Sequence, residues 1–172
     1  MIATKSMDKK EVGFSLTELA VVLMGAMIIL AAAVPAVNTS MNQYRLVLTA
    51  QSIAAQLQFA RMKAVSSNEV FRVNFPAGQK TYSIETSTGT AVAGPFYLPN
   101  SISWNSADTG SAITFPGNYV SFTPTGAIPV TGNGSTGRVK LVSPSGYKID
   151  IVVGTGGVIR QTPGFRGTSP PF

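Results

Sequence analysis

One long apolar run near the amino terminus limits what this chain can fold into more than any other feature. Residues 19–34 are almost continuous Ala, Val, Leu, Ile and Met, and Glu18 is the only charged side chain between positions 12 and 37. A helix that spans a bilayer needs about 20 apolar residues. The run therefore predicts a membrane helix. Glu18 then needs an explanation, because a carboxylate at the bilayer centre costs roughly 3 kcal/mol.

The charges that flank the run predict its orientation. Lysines stand at positions 5, 9 and 10, and no charged residue follows the run until Arg45. The positive-inside rule then places the amino terminus in the cytoplasm and the bulk of the protein outside. A conventional secretory signal, cleaved near residues 34–36, is the alternative. The length of the run and the presence of Glu18 inside it favour the membrane helix.

The composition argues against an enzyme. The 172 residues include no cysteine and no histidine, which removes disulfides, thiolate nucleophiles, zinc–thiolate sites and the commonest general base. The seven acidic residues do not fall at spacings typical of a carboxylate pair or a metal cage. We therefore predict no enzyme, no cofactor and no metal. The net charge of +6 is spread along the chain, so it permits weak attraction to nucleic acid or acidic lipid without indicating either.

A helical pattern continues past the apolar run. Apolar residues recur every three or four positions, with polar residues on the other faces. One helix is predicted from near Phe14 to about residue 65, with its second half packed on the chain's own sheet. Pro35 is expected to bend or loosen this helix, because proline lacks an N–H donor and clashes with the preceding turn. The apolar positions are Leu46, Ala50, Ile53, Leu57, Ala60 and Ala64.

Period-two alternation between Gly, Pro, Asn and Ser clusters predicts short strands after residue 69. The fold class is α+β, a long N-terminal hydrophobic helix packed on a C-terminal antiparallel β-sheet or β-sandwich domain. Two segments are predicted hairpin turns: residues 76–79 and Gly154-Thr155-Gly156-Gly157. The second is not a phosphate loop, because it lacks the Lys-Ser/Thr that such a loop carries. The predicted strands are 70–75, 80–86, 96–98, 102–104, 112–115, 119–123, 138–143, 147–153 and 158–160.

The predicted hairpin of residues 138–153 alternates cleanly between apolar and polar side chains. Alternation puts the polar side chains of both strands on one face of the sheet if the register holds. We interpret this face as solvated. Its members are Arg138, Lys140, Lys148 and Asp150.

The segment Lys9-Lys10-Glu11-Val12-Gly13-Phe14-Ser15-Leu16-Thr17-Glu18-Leu19 resembles the class III signal of type IV pilins and type II secretion pseudopilins. The resemblance implies that a prepilin peptidase cuts after Gly13 and that Phe14 becomes N-methylated. It also implies that Glu18 meets the terminal amine of a neighbouring subunit during assembly. The cut precedes the apolar helix, so the processed protein stays anchored in the membrane.

The order of the elements resembles FimT-like minor pilins and H-type minor pseudopilins. That resemblance implies a membrane-anchored structural subunit, assembled with other subunits at the tip of a type IV pilus or a type II secretion pseudopilus. The location implied is the bacterial inner membrane, in a single pass. The expected divisions are a leader at 1–13, a transmembrane and filament-core helix at 14–36, an amphipathic helix at 37–66, a β-rich domain at 67–160 and a flexible tail at 161–172.

Some FimT-like proteins carry a C-terminal Gly-Arg-x-Arg motif that binds DNA during uptake. The counterparts here are residues 157–160, Gly-Val-Ile-Arg, and 164–167, Gly-Phe-Arg-Gly, each with one arginine where the motif has two. A DNA-binding minor pilin is therefore an open alternative. A secreted β-rich binding protein with an ordinary signal peptide is another. The candidate phosphate contacts are Arg138, Lys140, Lys148, Arg160 and Arg166.

Overall fold

The computed structural model describes residues 15–106, 111–130 and 132–166, with backbone alone for 32–36. Helix α1, Leu16–Ser67, is the longest element of this part of the chain. The predicted single helix is therefore confirmed. Its expected first residue, Phe14, lies outside the described residues, and the bend expected at Pro35 stays a prediction.

The chain divides into two compact units, Met1–Asn38 and Thr39–Phe172. In the first unit every residue from 15 to 31 is exposed. Over the ranges that the structure describes, no helix combines the length and the hydropathy needed to cross a membrane.

In the second unit, α1 packs on the sheets through the predicted apolar stripe. All six stripe residues, from Leu46 to Ala64, are at most 1% exposed and belong to a core cluster built with strand side chains. The helix then stops in the predicted place. Asn68 adopts a φ of 52°, and the Glu69 N–H donates to the Ala64 carbonyl at 3.3 Å. This pairing across a left-handed residue is a Schellman cap, which satisfies a carbonyl that the helix leaves open.

The strands form two four-stranded antiparallel sheets, as predicted. The first sheet has the order β3-β2-β1-β5 and the second β4-β6-β7-β8. A short 3-10 helix, Pro116–Asn118, precedes β5. In chain order the strands are β1 Phe71–Asn74, β2 Thr81–Thr86, β3 Ala91–Tyr97, β4 Ser103–Trp104, β5 Tyr119–Phe122, β6 Gly137–Val142, β7 Lys148–Val153 and β8 Ile159–Gln161.

The strand predicted at residues 112–115 is wrong, because only an isolated bridge between Ile113 and Val139 forms there. Strand β4 pairs with Leu141 and Val142 and so occupies that part of the edge of β6. Further along the same edge, Val139 pairs with Ile113 as an isolated bridge. The chain then leaves the sheet at the 3-10 helix that starts with Pro116.

Both predicted hairpin turns are confirmed. The Gln79 N–H donates to the Pro76 carbonyl at 3.3 Å, and the Gly157 N–H donates to the Gly154 carbonyl at 2.8 Å. Gly157 has a φ of 69°, and a Cβ there would overlap the Gly126 carbonyl oxygen. Glycine is therefore required at position 157 for both its backbone conformation and the close approach of another loop.

Candidate functional site

The first part of α1 presents apolar side chains to solvent around its whole circumference. Its large apolar residues between positions 16 and 30 are 53% to 84% exposed, and the consecutive Met27, Ile28, Ile29 and Leu30 all belong to this set. Four consecutive helical residues point in four directions about 100° apart, so no face is polar. Such a segment is typical of a helix that other molecules bury.

Glu18 lies in the first turn of α1 and is exposed. A negative charge in the first turn is favoured by the partial positive charge at a helix amino terminus. The predicted cleavage residue Gly13 and the predicted methylation residue Phe14 lie outside the described residues. The roles of all three residues therefore stay predictions.

Four of the five candidate phosphate contacts lie on strands of the second sheet and Arg166 lies in the segment after β8, and the five differ in surroundings. Arg138 stands opposite Val152, which stands opposite Arg160 on the next strand, so these three side chains form one row across β6, β7 and β8. On the same face of the sheet, Lys140 stands opposite Asp150, and Lys148 begins β7. Register and face thus agree with the sequence prediction.

The interpretation of this face as solvated is wrong for Lys140 and Asp150, which are 2% and 0% exposed. Arg138 is half-buried, and its Nη1 lies 3.5 Å from Asp150 Oδ2. Alternation predicts which side chains share a face, and these do share one. It does not reveal how far neighbouring side chains and distant segments enclose that face.

Arg160 and Arg166 are the exposed members of the candidate set. The Arg166 guanidinium lies 4.3 Å above the centre of the Tyr147 ring. Arg160 lines an open groove of about 610 Å³ formed by the β7–β8 hairpin and residues 161–163. Apolar side chains such as Val152, Val158 and Pro163 share this groove.

The chain beyond β8 follows β7 before the described residues end. The Thr162 N–H donates to the Asp150 carbonyl at 2.9 Å, and Phe165 forms an antiparallel bridge with Lys148. The side chain of Thr162 accepts a hydrogen bond from the Asp150 N–H at 2.9 Å. These contacts hold residues 162–165 beside the sheet.

A polar cluster on the first sheet was missed at the level of sequence. Glu85 accepts hydrogen bonds from Arg72 at 3.0 and 3.1 Å, from Asn74 at 3.0 Å and from Ser83 at 2.8 Å. Burial by itself would raise the pKa of Glu85, but these hydrogen bonds and the charge of Arg72 outweigh it, so the pKa lies below its usual value. The signal was available in the predicted hairpin, whose register puts Arg72 opposite Glu85.

Neither this cluster nor any other group of described His, Cys, Asp and Glu side chains has the three members needed to hold a metal ion. The Arg72 guanidinium also lies 5.2 Å from the centre of the Tyr119 ring. Each polar group of the cluster thus has a partner within it, as expected of a structural network.

This chain is similar to a known protein family and to solved structures of a minor pilin and a minor pseudopilin. The model of one protein family, described as "Type II transport protein GspH", matches residues 49–157. A crystal structure of the type IV minor pilin FimU of Pseudomonas aeruginosa is 19% identical, covers 70% of this chain and 90% of its own, and has a TM-score of 0.51. The minor pseudopilin EpsH from the type 2 secretion system of Vibrio cholerae is 10% identical, covers 69% and 96%, and has a TM-score of 0.48. No curated protein matches the chain.

Proposed function

Because the chain belongs to the GspH family, we propose that it is a minor pilin or pseudopilin, a structural subunit of a type IV pilus or a type II secretion pseudopilus. Membership of this family confirms the resemblance to FimT-like minor pilins and H-type minor pseudopilins. A subunit of this kind assembles with other pilin or pseudopilin subunits. Its activity is assembly and not catalysis.

The observation that carries this proposal is the apolar, exposed start of α1. Between residues 16 and 31 the helix has no polar face, and Glu18 is its only charged residue. In a filament, the helices of neighbouring subunits cover one another, which removes this apolar surface from water. Low charge suits that environment, because a buried unpaired charge is costly.

The proposal extends to how the subunit is processed and stored. A prepilin peptidase cuts after Gly13 and Phe14 is then N-methylated. The subunit waits in the inner membrane, anchored by residues 14–36, with its amino terminus in the cytoplasm. On assembly Glu18 pairs with the terminal amine of a neighbour. Pro35 bends or loosens the helix. The support is the sequence from Lys9 to Leu19 and the charge distribution around the apolar run.

We propose, from the family resemblance alone, that the subunit is located at the tip of the filament. A minor subunit at a tip is needed in few copies. Its β-rich domain, residues 67–160, would be displayed outside the filament core.

Mass spectrometry of the mature chain from cells that assemble the filament tests the processing. The expected amino terminus is an N-methylated Phe14. A terminus at Val37 would instead indicate an ordinary signal peptide and a secreted protein. Immunoblotting of sheared filaments then asks whether the mature chain is incorporated, and its absence from filaments that contain the other subunits would contradict the structural role.

DNA binding on such a filament is the second candidate. The observation in its favour is that Arg160 and Arg166 are both exposed, and that Arg160 lines the β7–β8 groove. Phosphate contacts of this kind weaken steeply as salt rises. A gel shift with the full chain in detergent tests it. No retardation of DNA at low salt, or equal retardation by an Arg160→Ala/Arg166→Ala variant, would contradict binding at this groove.

A further inference from the structure

The second sheet ends at an open edge, strand β8, which stands last in the order β4-β6-β7-β8. The Val158 carbonyl accepts a hydrogen bond from the Gly154 N–H at 2.9 Å, so the backbone of Val158 is directed towards β7. The direction of the backbone groups alternates along an antiparallel strand. The N–H and C=O groups of Ile159 and Gln161 are therefore directed away from β7, towards the outside of the sheet.

The outward backbone groups of β8 are accessible and held in place. Among the described residues, none forms a backbone hydrogen bond with the outer side of Ile159 or Gln161. The Gln161 side chain donates to the Ala50 carbonyl of α1 at 3.3 Å, which fixes this edge against the helix. Pro163 lacks an N–H and so limits the free edge to a short stretch. A short, rigid edge of this kind can accept one more strand with little ordering cost.

The β7–β8 groove lies along the same edge and combines an apolar lining with one positive charge. Val152, Val158 and Pro163 supply apolar surface, and Val158 is 50% exposed. Arg160 is the only charged side chain among the described residues that line the groove. Its volume of about 610 Å³ lies in the range of ligand-binding clefts. The groove therefore suits a ligand that carries both apolar groups and a negative charge.

We propose that the outer edge of β8 and the β7–β8 groove bind an extended peptide segment of a partner protein, which adds to the second sheet as an antiparallel strand. The register then determines the partner's side chains. The partner residue opposite Arg160 shares its face of the sheet, with about 5 Å between the two Cβ atoms, so it should be acidic. The partner residues two positions away on either side share that face and meet Val158 and Pro163, so they should be aliphatic.

An acidic peptide fits this edge better than a second copy of the chain or a nucleic acid. Two β8 edges that paired with each other would bring one Arg160 close to the other, and like charges opposite each other are destabilising. A nucleic acid phosphate would pair with Arg160, but it would leave the apolar lining and the outward backbone groups unused. A peptide strand uses all three features. This binding site goes beyond the role in the filament and does not depend on it.

Titration of the isotope-labelled full chain in detergent with synthetic peptides, followed by the backbone amide signals in NMR spectra, tests the charge pairing. The peptide acetyl-Val-Thr-Glu-Thr-Val-amide should shift the Ile159 and Gln161 signals, and lysine in place of its glutamate should weaken binding about tenfold. Arg160→Glu should reverse this preference. Arg166→Glu, at an exposed arginine outside the groove lining, should keep it. No shifts at about 1 mM peptide, or an unchanged preference in Arg160→Glu, would overturn the proposal.

Methylation of single peptide nitrogens tests the strand pairing independently of charge. The N–H groups of the two peptide threonines would face Ile159 and Gln161, so N-methylation of either threonine should abolish the amide shifts. The N–H of the central glutamate would face away from β8, so its N-methylation is the matched control and should leave binding nearly unchanged. Equal loss from both kinds of methylation would overturn the pairing. A single-stranded DNA oligonucleotide that shifts these amides when the peptide does not would also overturn the proposal, in favour of nucleic acid.

Discussion

Arg61 of helix α1 donates a hydrogen bond from Nε to the carbonyl oxygen of Gly126 at 2.8 Å. Its Nη2 also lies 3.4 Å from the carbonyl oxygen of Gly156 in the β7–β8 hairpin. One guanidinium thus joins the helix to a turn after β5 and to the hairpin of the other sheet. These two hydrogen bonds explain why the Gly154–Gly157 turn approaches Gly126 so closely.

Replacing Arg61 should loosen both loops. Arg61→Ala removes the charged donor from two backbone carbonyls, so the free energy of unfolding should fall by about 1 to 3 kcal/mol. Urea unfolding of the full chain in detergent, followed by circular dichroism, measures this change. Arg45→Ala removes an exposed arginine from the same helix and should have little effect. Equal changes in the free energy of unfolding for the two variants would contradict a stabilising role for the Arg61 hydrogen bonds.

Glu85 should make the stability depend on acidic pH. Its folded-state pKa is held below the usual value, so its network adds stability above the unfolded pKa, about 4.3 for glutamate. That contribution is lost as the pH falls through the lower, folded pKa. Glu85→Gln should therefore flatten the decline in unfolding midpoint below about pH 4. Glu69→Gln alters an exposed carboxyl and should keep the decline; an unchanged profile for Glu85→Gln would contradict this role.

The pair Arg138 and Asp150 should behave as a buried ion pair. Arg138→Ala leaves the fully buried Asp150 carboxylate without this partner and should lower the free energy of unfolding by about 3 kcal/mol. Arg138→Met combined with Lys140→Met and Asp150→Leu should recover most of the loss, because all three charged side chains of this part of the sheet are then replaced. The exposed Arg160→Ala is the control and should be nearly neutral. A triple variant as unstable as Arg138→Ala would argue against the ion-pair explanation.

Sequence patterns predicted the elements that depend on local period. The stripe from Leu46 to Ala64 was found because helical spacing determines which residues share a face, and all six members are buried. The β6–β7 register was found in the same way from period-two alternation and a short turn. In both cases the deciding information lies within a few residues along the chain.

Features that depend on distant segments were not predictable in this way. The burial of Lys140 depends on what packs against its sheet face, which alternation cannot reveal. The exposed apolar residues Tyr44, Leu48 and Phe59 of α1 also follow helical spacing, but only the buried face of the helix was predicted from the sequence. The roles of Gly13, Phe14 and Pro35 stay predictions.

Glu18 offers the most direct test of assembly. Glu18→Ala should leave cleavage after Gly13 intact, because the membrane peptidase cleaves the chain before it is assembled. Incorporation into filaments should fail, because the terminal amine of a neighbour would then be buried without its carboxylate, and an unpaired buried charge is strongly unfavourable. Glu18→Asp keeps the charge at the same position and should restore part of the incorporation. The measurements are the mass of the mature chain and its amount in sheared filaments. Normal incorporation of Glu18→Ala would refute the pairing, whereas uncleaved chain would show that Glu18 acts at the earlier, processing step.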